Sequence, residues 1–405
     1  MSARHALPRV LTLAAALCAC EIFLRFGGPS VPASYSFKHF LVPDPILGWK
    51  LRPGAEGWFG QEGGAHVRIN SDGFRDREHT VSKPAGHLRV ALLGDSYVEA
   101  LMVPLEASLG PLLEKTLSAC AGRHSKRVEV IQFGVTGYGT AQQLLMLRSS
   151  VWKYEPDIVI LLFFAGNDVD NNSFRLGGKP YSPYFRKVND RLVLAEGFPR
   201  FDTADLDPPK RDRLVHATRH LAIGRLFSAG AITLLDRISS LLSRRRTQAR
   251  ADRVPALERA TVSVFDNAGH PDWEEAWNTT EAILSAMQDE VRRRGAEFYL
   301  VLATTGMQVH PDPEVRKVIA ERIGEGMARV EGRLLAFSGQ KRIAVIDLAP
   351  PFRAYALRTG VFLHGFKNSG LGVGHWNEAG YWMAAQYVAD RLCRDPVLVR
   401  GLGDQ

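Results

Sequence analysis

The chain has 405 residues, 45% hydrophobic and 23% charged, with 37 glycines and 22 prolines. That composition excludes a disordered, collagen-like or coiled-coil chain and gives ample material for a core, in two or three domains or one large domain with insertions. The formal charge of +8 first suggests nucleic acid, but 13 Lys or Arg against 7 Asp or Glu between Arg200 and Arg259 hold +6 of it; with no basic reading face interleaved with aromatics, no nucleic-acid partner is expected.

Residues 1–27 read as an export or anchor segment. Arg4 and Arg9 precede an apolar run, Val10 to Cys20, broken only by Thr12. Such a run suits a signal-peptide core of ~7–15 residues. Extended past Glu21 as one helix from Leu7 to Leu24, it is long enough for a thin or locally adapted span. Three outcomes stay open. An uncleaved signal anchor comes first, then cleavage after Ala33, then Leu17-Cys18-Ala19-Cys20 as an imperfect lipobox. Each places the remaining chain outside the cytoplasm, where Cys120 and Cys393 are free to pair.

Residues 28–86 are rich in Gly, Pro and polar side chains and predict an extended strap with a strand or two. Asn70-Ser71-Asp72-Gly73 is a turn, and Phe74-Arg75-Asp76 is expected to pack the strap on the main domain. Regular alternation occupies 87–170. A strand from Leu88 to Leu93 ends in Gly94-Asp95-Ser96 and leads to helical chain as far as Cys120. Val128 to Phe133 ends in Gly134-Val135-Thr136-Gly137, before a helix from Thr140 to Trp152. Asp157 to Phe164 is continuously apolar, as in a strand buried on both faces, and ends in Ala165-Gly166-Asn167-Asp168.

Residues 171–271 interrupt the pattern. They are loop-like to Pro209, then carry an amphipathic stretch from Leu221 to Leu242 followed by Arg244-Arg245-Arg246 and Arg250. The 221–250 segment can lie on an anionic membrane or pack its stripe on the domain. Alternation returns over 272–400. A helix from Pro271 to Arg294 precedes a strand, Glu297 to Ala303. A second helix, Pro313 to Phe337, precedes the strand Ile343 to Asp347, and the last helix runs from Glu378 to Cys393. The fold class is α/β: a three-layer α/β/α sandwich on a parallel five-stranded sheet.

In an open parallel sheet, ligands bind beyond the carboxyl ends of the strands. Ser96, Gly134 and Asn167 follow the first three strands, and Gly374-His375-Trp376-Asn377 opens the last helix. A serine on a strand-to-helix turn becomes a nucleophile when a histidine takes its proton. Backbone N–H groups at Ser96 and Gly134, with the Asn167 amide, can bind the oxyanion of a tetrahedral intermediate. Val98, two residues after Ser96, breaks the Gly-x-Ser-x-Gly elbow of the α/β-hydrolases. The glycine spacing from Gly134 to Gly139 is wrong for a dinucleotide site. No His-Glu-x-x-His or Cys-x-x-Cys spacing occurs, so neither metal nor other cofactor is expected.

These four blocks, Gly94-Asp95-Ser96 with Tyr97, Gly134, Gly166-Asn167-Asp168 and His375, resemble those of the SGNH, or GDSL-type, serine esterases and acylhydrolases. The resemblance covers about 87–170 and 272–393. It implies a flavodoxin-like sheet of order 2-1-3-4-5, Ser96 as nucleophile, His375 as base, and Ser96, Gly134 and Asn167 as oxyanion donors. The anchor, strap and His-Trp-Asn block resemble the membrane-anchored bacterial members. This implies a single-pass inner-membrane protein with its catalytic domain outside the cytoplasm, or a secreted or periplasmic one. The expected substrate is an O-acylated envelope carbohydrate or a lipid ester. A non-catalytic acyl- or polysaccharide-binding envelope protein and a lysophospholipase-like lipase remain the alternatives. One feature departs from the family: the aspartate usually found two or three residues before the histidine is replaced here by Val373 and Gly372. The orienting group is then a backbone carbonyl, giving a Ser–His dyad, or a carboxylate from elsewhere in the chain, for which Asp347, at the end of the fifth strand, is the candidate.

Overall fold

The computed structural model describes residues 6–26, 34–121, 127–177, 179, 181–189, 191–195, 210–218, 264–266 and 269–395. The stretch from Leu221 to Arg250, with its amphipathic pattern and arginine run, lies outside the described residues. The N-terminal segment forms a helix, Ala6–Phe26. Among the described residues, no helix is long and apolar enough to cross a membrane.

The strap is more ordered than its composition predicts. It contains five short strands: β1 (Ser34–Tyr35), β2 (Leu41–Asp44), β3 (Gly48–Leu51), β4 (Glu56–Phe59) and β5 (Ala65–Arg68). β2 and β3 form one antiparallel hairpin, and β4 and β5 another, with β1 parallel to β4. β5 alternates buried Ala65 and Val67 with exposed His66 and Arg68, the period of a strand with one face on a core. That face packs into the same apolar cluster as the main sheet, through Tyr35, Phe40, Trp49, Leu51, Phe59, Val67 and Ile69. The strap is therefore part of the domain core.

The central sheet has β6 (His87–Gly94), β7 (Arg127–Gly134), β8 (Ile158–Phe163), β11 (Glu297–Leu302) and β12 (Ala344–Asp347), in the order β7-β6-β8-β11-β12. All four pairings are parallel. Counted along the chain this is 2-1-3-4-5, as expected. Successive side chains of a strand point to opposite faces, and the core divides accordingly. Ala91, Leu93, Ile131, Phe133, Val159 and Leu161 join the cluster under the helices Thr140–Ser149, Pro271–Arg293 and Gly326–Lys341. Val90, Leu92, Val130, Ile160 and Leu162 join the other, under Leu109–Ala121, Ala349–Thr359 and Glu378–Cys393. Full burial of β8 follows from cover on both faces.

Element bounds differ from the pattern where proline or glycine intervenes. The helical chain after Ser96 splits into Ser96–Glu99 and Leu109–Ala121, with Pro104 between them. The expected Pro313–Phe337 helix is two, Pro313–Ile323 and Gly326–Lys341, the first ended by Gly324 at φ +58°. The strands β9 (Phe185–Val188) and β10 (Arg191–Leu194) pair as a hairpin in the stretch expected to be loop. Another unexpected hairpin, β13 (His364–Phe366) with β14 (Gly370–Trp376), carries His375. Cys120 and Cys393 form a disulfide joining the Leu109–Ala121 and Glu378–Cys393 helices.

Candidate active site

β6 delivers Ser96 to the carboxyl edge of the sheet. Asp95 is the N-cap of the short helix Ser96–Glu99, its side chain accepting from Tyr97 N at 2.9 Å. The helix ends at Ala100, which sits in the left-handed region at φ 54°. Gly134, at the end of β7, is in register with Gly94. A Cβ on Gly134 would lie 2.2 Å from the Glu99 backbone nitrogen. Glycine there lets the second block press against the nucleophile helix.

β14 brings His375 to the serine, and the separation is that of a reacting pair: Nε2 lies 2.8 Å from Ser96 Oγ. Its Nδ1 lies 2.6 Å from Glu62 Oε2, and its backbone N–H donates to Glu62 Oε1 at 2.8 Å. A carboxylate only accepts, so Nδ1 carries the proton and Nε2 is left to accept from the serine hydroxyl. Ser96, His375 and Glu62 are thus linked in one hydrogen-bonded chain, the geometry that an acid–base–nucleophile relay requires. Burial pushes the Glu62 carboxyl up, but the bonds and charge of His375 outweigh it and hold the group below its ordinary range.

Asp347 does not fill the expected place. Its carboxylate caps the next helix, accepting from Ala349 N at 2.9 Å. Glu62 comes instead from the turn between β4 and β5. Gly374, at φ +77°, makes room for it: a Cβ there would lie 2.3 Å from Glu62 Oε1. The local clue in the sequence was an acid between Gly60 and Gly63-Gly64, which marks a turn but names no partner.

Asn167 follows β8, and its Nδ2 donates to Asp95 Oδ2 at 2.9 Å. An amide nitrogen has two hydrogens, so one fixes the side chain against the nucleophile turn and a second remains on the same nitrogen. The first-turn N–H of Ser96 has no acceptor within its own helix. Gly134 and Asn167 thus both lie against the turn and short helix that carry Ser96. Asp95 is fully buried and its carboxyl is pushed up by that burial, against the bonds from Tyr97 and Asn167. Asp168, also fully buried, is pushed up by burial and by the Asp95 charge, and accepts from Phe164 N at 2.7 Å.

A buried polar chain holds the base. The Gly374 carbonyl can only accept, so His364 Nδ1 donates to it at 2.8 Å. His364 Nε2 then accepts from the Thr304 hydroxyl at 2.9 Å, and Thr304 Oγ1 accepts from Trp376 Nε1 at 2.9 Å. Burial lowers the His364 pKa to about 4, which keeps this ring neutral. Tyr97 also donates to Gly374 O, at 3.2 Å, and its ring lies 4.9 Å from that of His375. Pattern reasoning missed Thr304 and His364, because only tertiary contact gives them a role. Asn377, expected to open the last helix, is its N-cap and accepts from Ala379 and Gly380 N.

The strap meets two further blocks. Arg75, fully buried with its pKa pulled down to about 10 by that burial, donates to the carbonyls of Glu99, Ala100 and Val103. These are the carbonyls at and just beyond the end of the nucleophile helix, which such an end leaves without helical partners. Trp49 Nε1 donates to Thr136 O at 3.0 Å, beside the Gly134 block. Glu99 joins the two blocks by accepting from Thr136 N and Oγ1, and burial pushes its carboxyl up to about 7. Among the described residues, no group of three or more metal-ligating side chains is placed to hold an ion.

No protein-family model matches the chain, and no curated protein matches it. Solved structures are similar to it at low identity. An acetyl xylan esterase, AlAXEase, is 12% identical with a TM-score of 0.37 over 75% of this chain and 99% of that one. A lipase/acylhydrolase from Enterococcus faecalis is 14% identical with a TM-score of 0.35, over 76% and 95%. A GDSL-like lipase from Bacteroides thetaiotaomicron VPI-5482 is 11% identical with a TM-score of 0.30, over 75% and 86%. Similarity this low transfers no activity to the chain.

Proposed function

We propose that this protein is a serine esterase of the SGNH, or GDSL, type that works through an acyl-enzyme on Ser96. The observation that carries the reading is His375, hydrogen-bonded at once to Ser96 Oγ and to the half-buried Glu62 carboxylate. Ser96 Oγ attacks the ester carbonyl carbon while His375 Nε2 takes its proton. The carbonyl oxygen becomes an oxyanion held by Ser96 N–H, Gly134 N–H and Asn167 Nδ2–H. Collapse of this intermediate breaks the bond to the alcohol oxygen, which leaves with the proton from His375. Water then gives a proton to Nε2 and attacks the acyl-enzyme. A second collapse frees the carboxylic acid and returns the proton to Ser96. Glu62 holds the ring and stabilises the imidazolium in both halves. An alcohol acceptor in place of water would make the same site a transferase.

The reading extends to substrate and place. The resemblance favours an acylated envelope carbohydrate or a lipid ester outside the cytoplasm. The Cys120–Cys393 bond supports an oxidising compartment, and the basic residues ahead of the apolar run support export or anchoring by the N-terminal segment. Purified protein should hydrolyse p-nitrophenyl acetate and be labelled by a fluorophosphonate probe. Ser96→Ala should abolish both; equal rates in the variant would exclude Ser96 as nucleophile.

A further inference from the structure

The acid and the base are gripped by one hairpin. β13 and β14 enclose the turn Lys367-Asn368-Ser369, and Asn368 directs its whole amide at the strap. Its Oδ1 accepts from Gly63 N at 3.0 Å, while Nδ2 donates to Gly63 O at 2.7 Å and to Gly60 O at 3.3 Å. All three bonds go to backbone groups flanking Glu62. The turn has little freedom to seat elsewhere. Gly63 is at φ +62°, where a Cβ would lie 2.3 Å from Met102 O, and Gly64 N donates to that same carbonyl at 3.0 Å. Glutamate has three side-chain torsions, and holding them costs entropy unless the backbone beneath is fixed.

We infer that Asn368 is a positioning residue of the triad: its amide holds the Gly60–Gly63 turn so that the Glu62 carboxylate meets both Nδ1 and the backbone nitrogen of His375. The inference rests on the triad reading above. One piece of chain then helps to set the base through β14 and the acid through Asn368. Asn368 is exposed and touches neither the serine nor the oxyanion donors in this arrangement, so its loss should act on turnover rather than on substrate binding.

The test is a double-mutant cycle in the full chain, purified in detergent, with p-nitrophenyl acetate as substrate. Asn368→Ala should lower kcat by about 10- to 100-fold, the range expected of a catalytic group displaced by ~1 Å, with KM within about 2-fold. In a Glu62→Gln background the same substitution should change kcat by less than about 2-fold, because the group it positions is already gone. Asn368→Asp, which keeps the shape and the acceptor for Gly63 N but sets a carboxylate oxygen against the Gly60 and Gly63 carbonyls, should lose at least as much as Asn368→Ala and supplies the cycle if the alanine variant folds poorly. An unchanged kcat in these variants, or an equal loss in both backgrounds, overturns the role of Asn368. No loss on Glu62→Gln or Ser96→Ala alone would instead overturn the triad reading.

Discussion

The strap and the central sheet contribute to the site in different ways. The sheet supplies Ser96, Gly134 and Asn167 at the ends of adjacent strands, the placement any open parallel sheet offers to a ligand. The strap lies outside that sheet, yet it supplies the Glu62 carboxylate that faces His375 and ties down the end of the Ser96 helix through Arg75. A segment rich in turns reaches the candidate site because it is packed into the core on one side of the sheet. Its glycines let the Glu62 turn approach where a side chain would collide. The site is thus a joint product of two regions whose sequences look nothing alike.

Substitutions can break this partnership at several depths. The largest effect is expected for Glu62→Gln, which keeps the shape but removes the charge facing Nδ1. It should lower kcat by about 10²- to 10⁴-fold with little change in thermal midpoint. A loss below about 3-fold would return the acid's role to the sheet or to a dyad.

Arg75→Leu is expected to act on stability as well as rate. It strips partners from three carbonyls around the nucleophile helix and should cost about 3 kcal/mol in denaturant unfolding. A cost under about 0.5 kcal/mol would show that the strap merely rests on this helix.

Glu99→Gln sharpens the comparison through pH. Burial places the folded Glu99 pKa at about 7, above the unfolded value of ~4.3. The stabilising preference for the protonated form is complete below the unfolded value and is lost as pH rises to about 7, so stability should fall across that window and level off above it. The variant should lack on the order of 2–3 kcal/mol of that slope in melts between pH 5 and 8. Parallel curves for both proteins would exclude Glu99 as its source.

The smallest effect belongs to Asp347→Asn. The residue caps a helix at the far edge of the sheet, and asparagine can keep the bond from Ala349 N. The kcat should stay within about 2-fold of the parent. A larger fall would bring the sheet's own carboxylate back into the mechanism.

Much of the domain was legible from local patterns. Largely apolar runs placed β6, β7 and β8 to within a residue or two, β8 most plainly, because a strand buried on both faces is continuously apolar. Ser96, Gly134, Asn167 and His375 stood out because each closes or follows a regular element, where polar side chains need a reason to be. Helix breaks were read less well, since Pro104 and Gly324 lie within otherwise periodic stretches. The β13–β14 hairpin escaped because its glycines carry positive φ angles rather than an alternating pattern.

Sequence alone determined the layered α/β architecture and singled out Ser96, Gly134, Asn167 and His375 as candidates, since those depend on periodicity and on chemistry tied to element ends. Only the tertiary structure decided which acid faces His375. Glu62 and His375 are 313 positions apart, and no local pattern encodes a contact across that distance. Asp347 sat on the expected strand but is engaged by its own helix. The carboxylate that reaches the base does so because Gly374 leaves room for it and the strap turn is held against the hairpin.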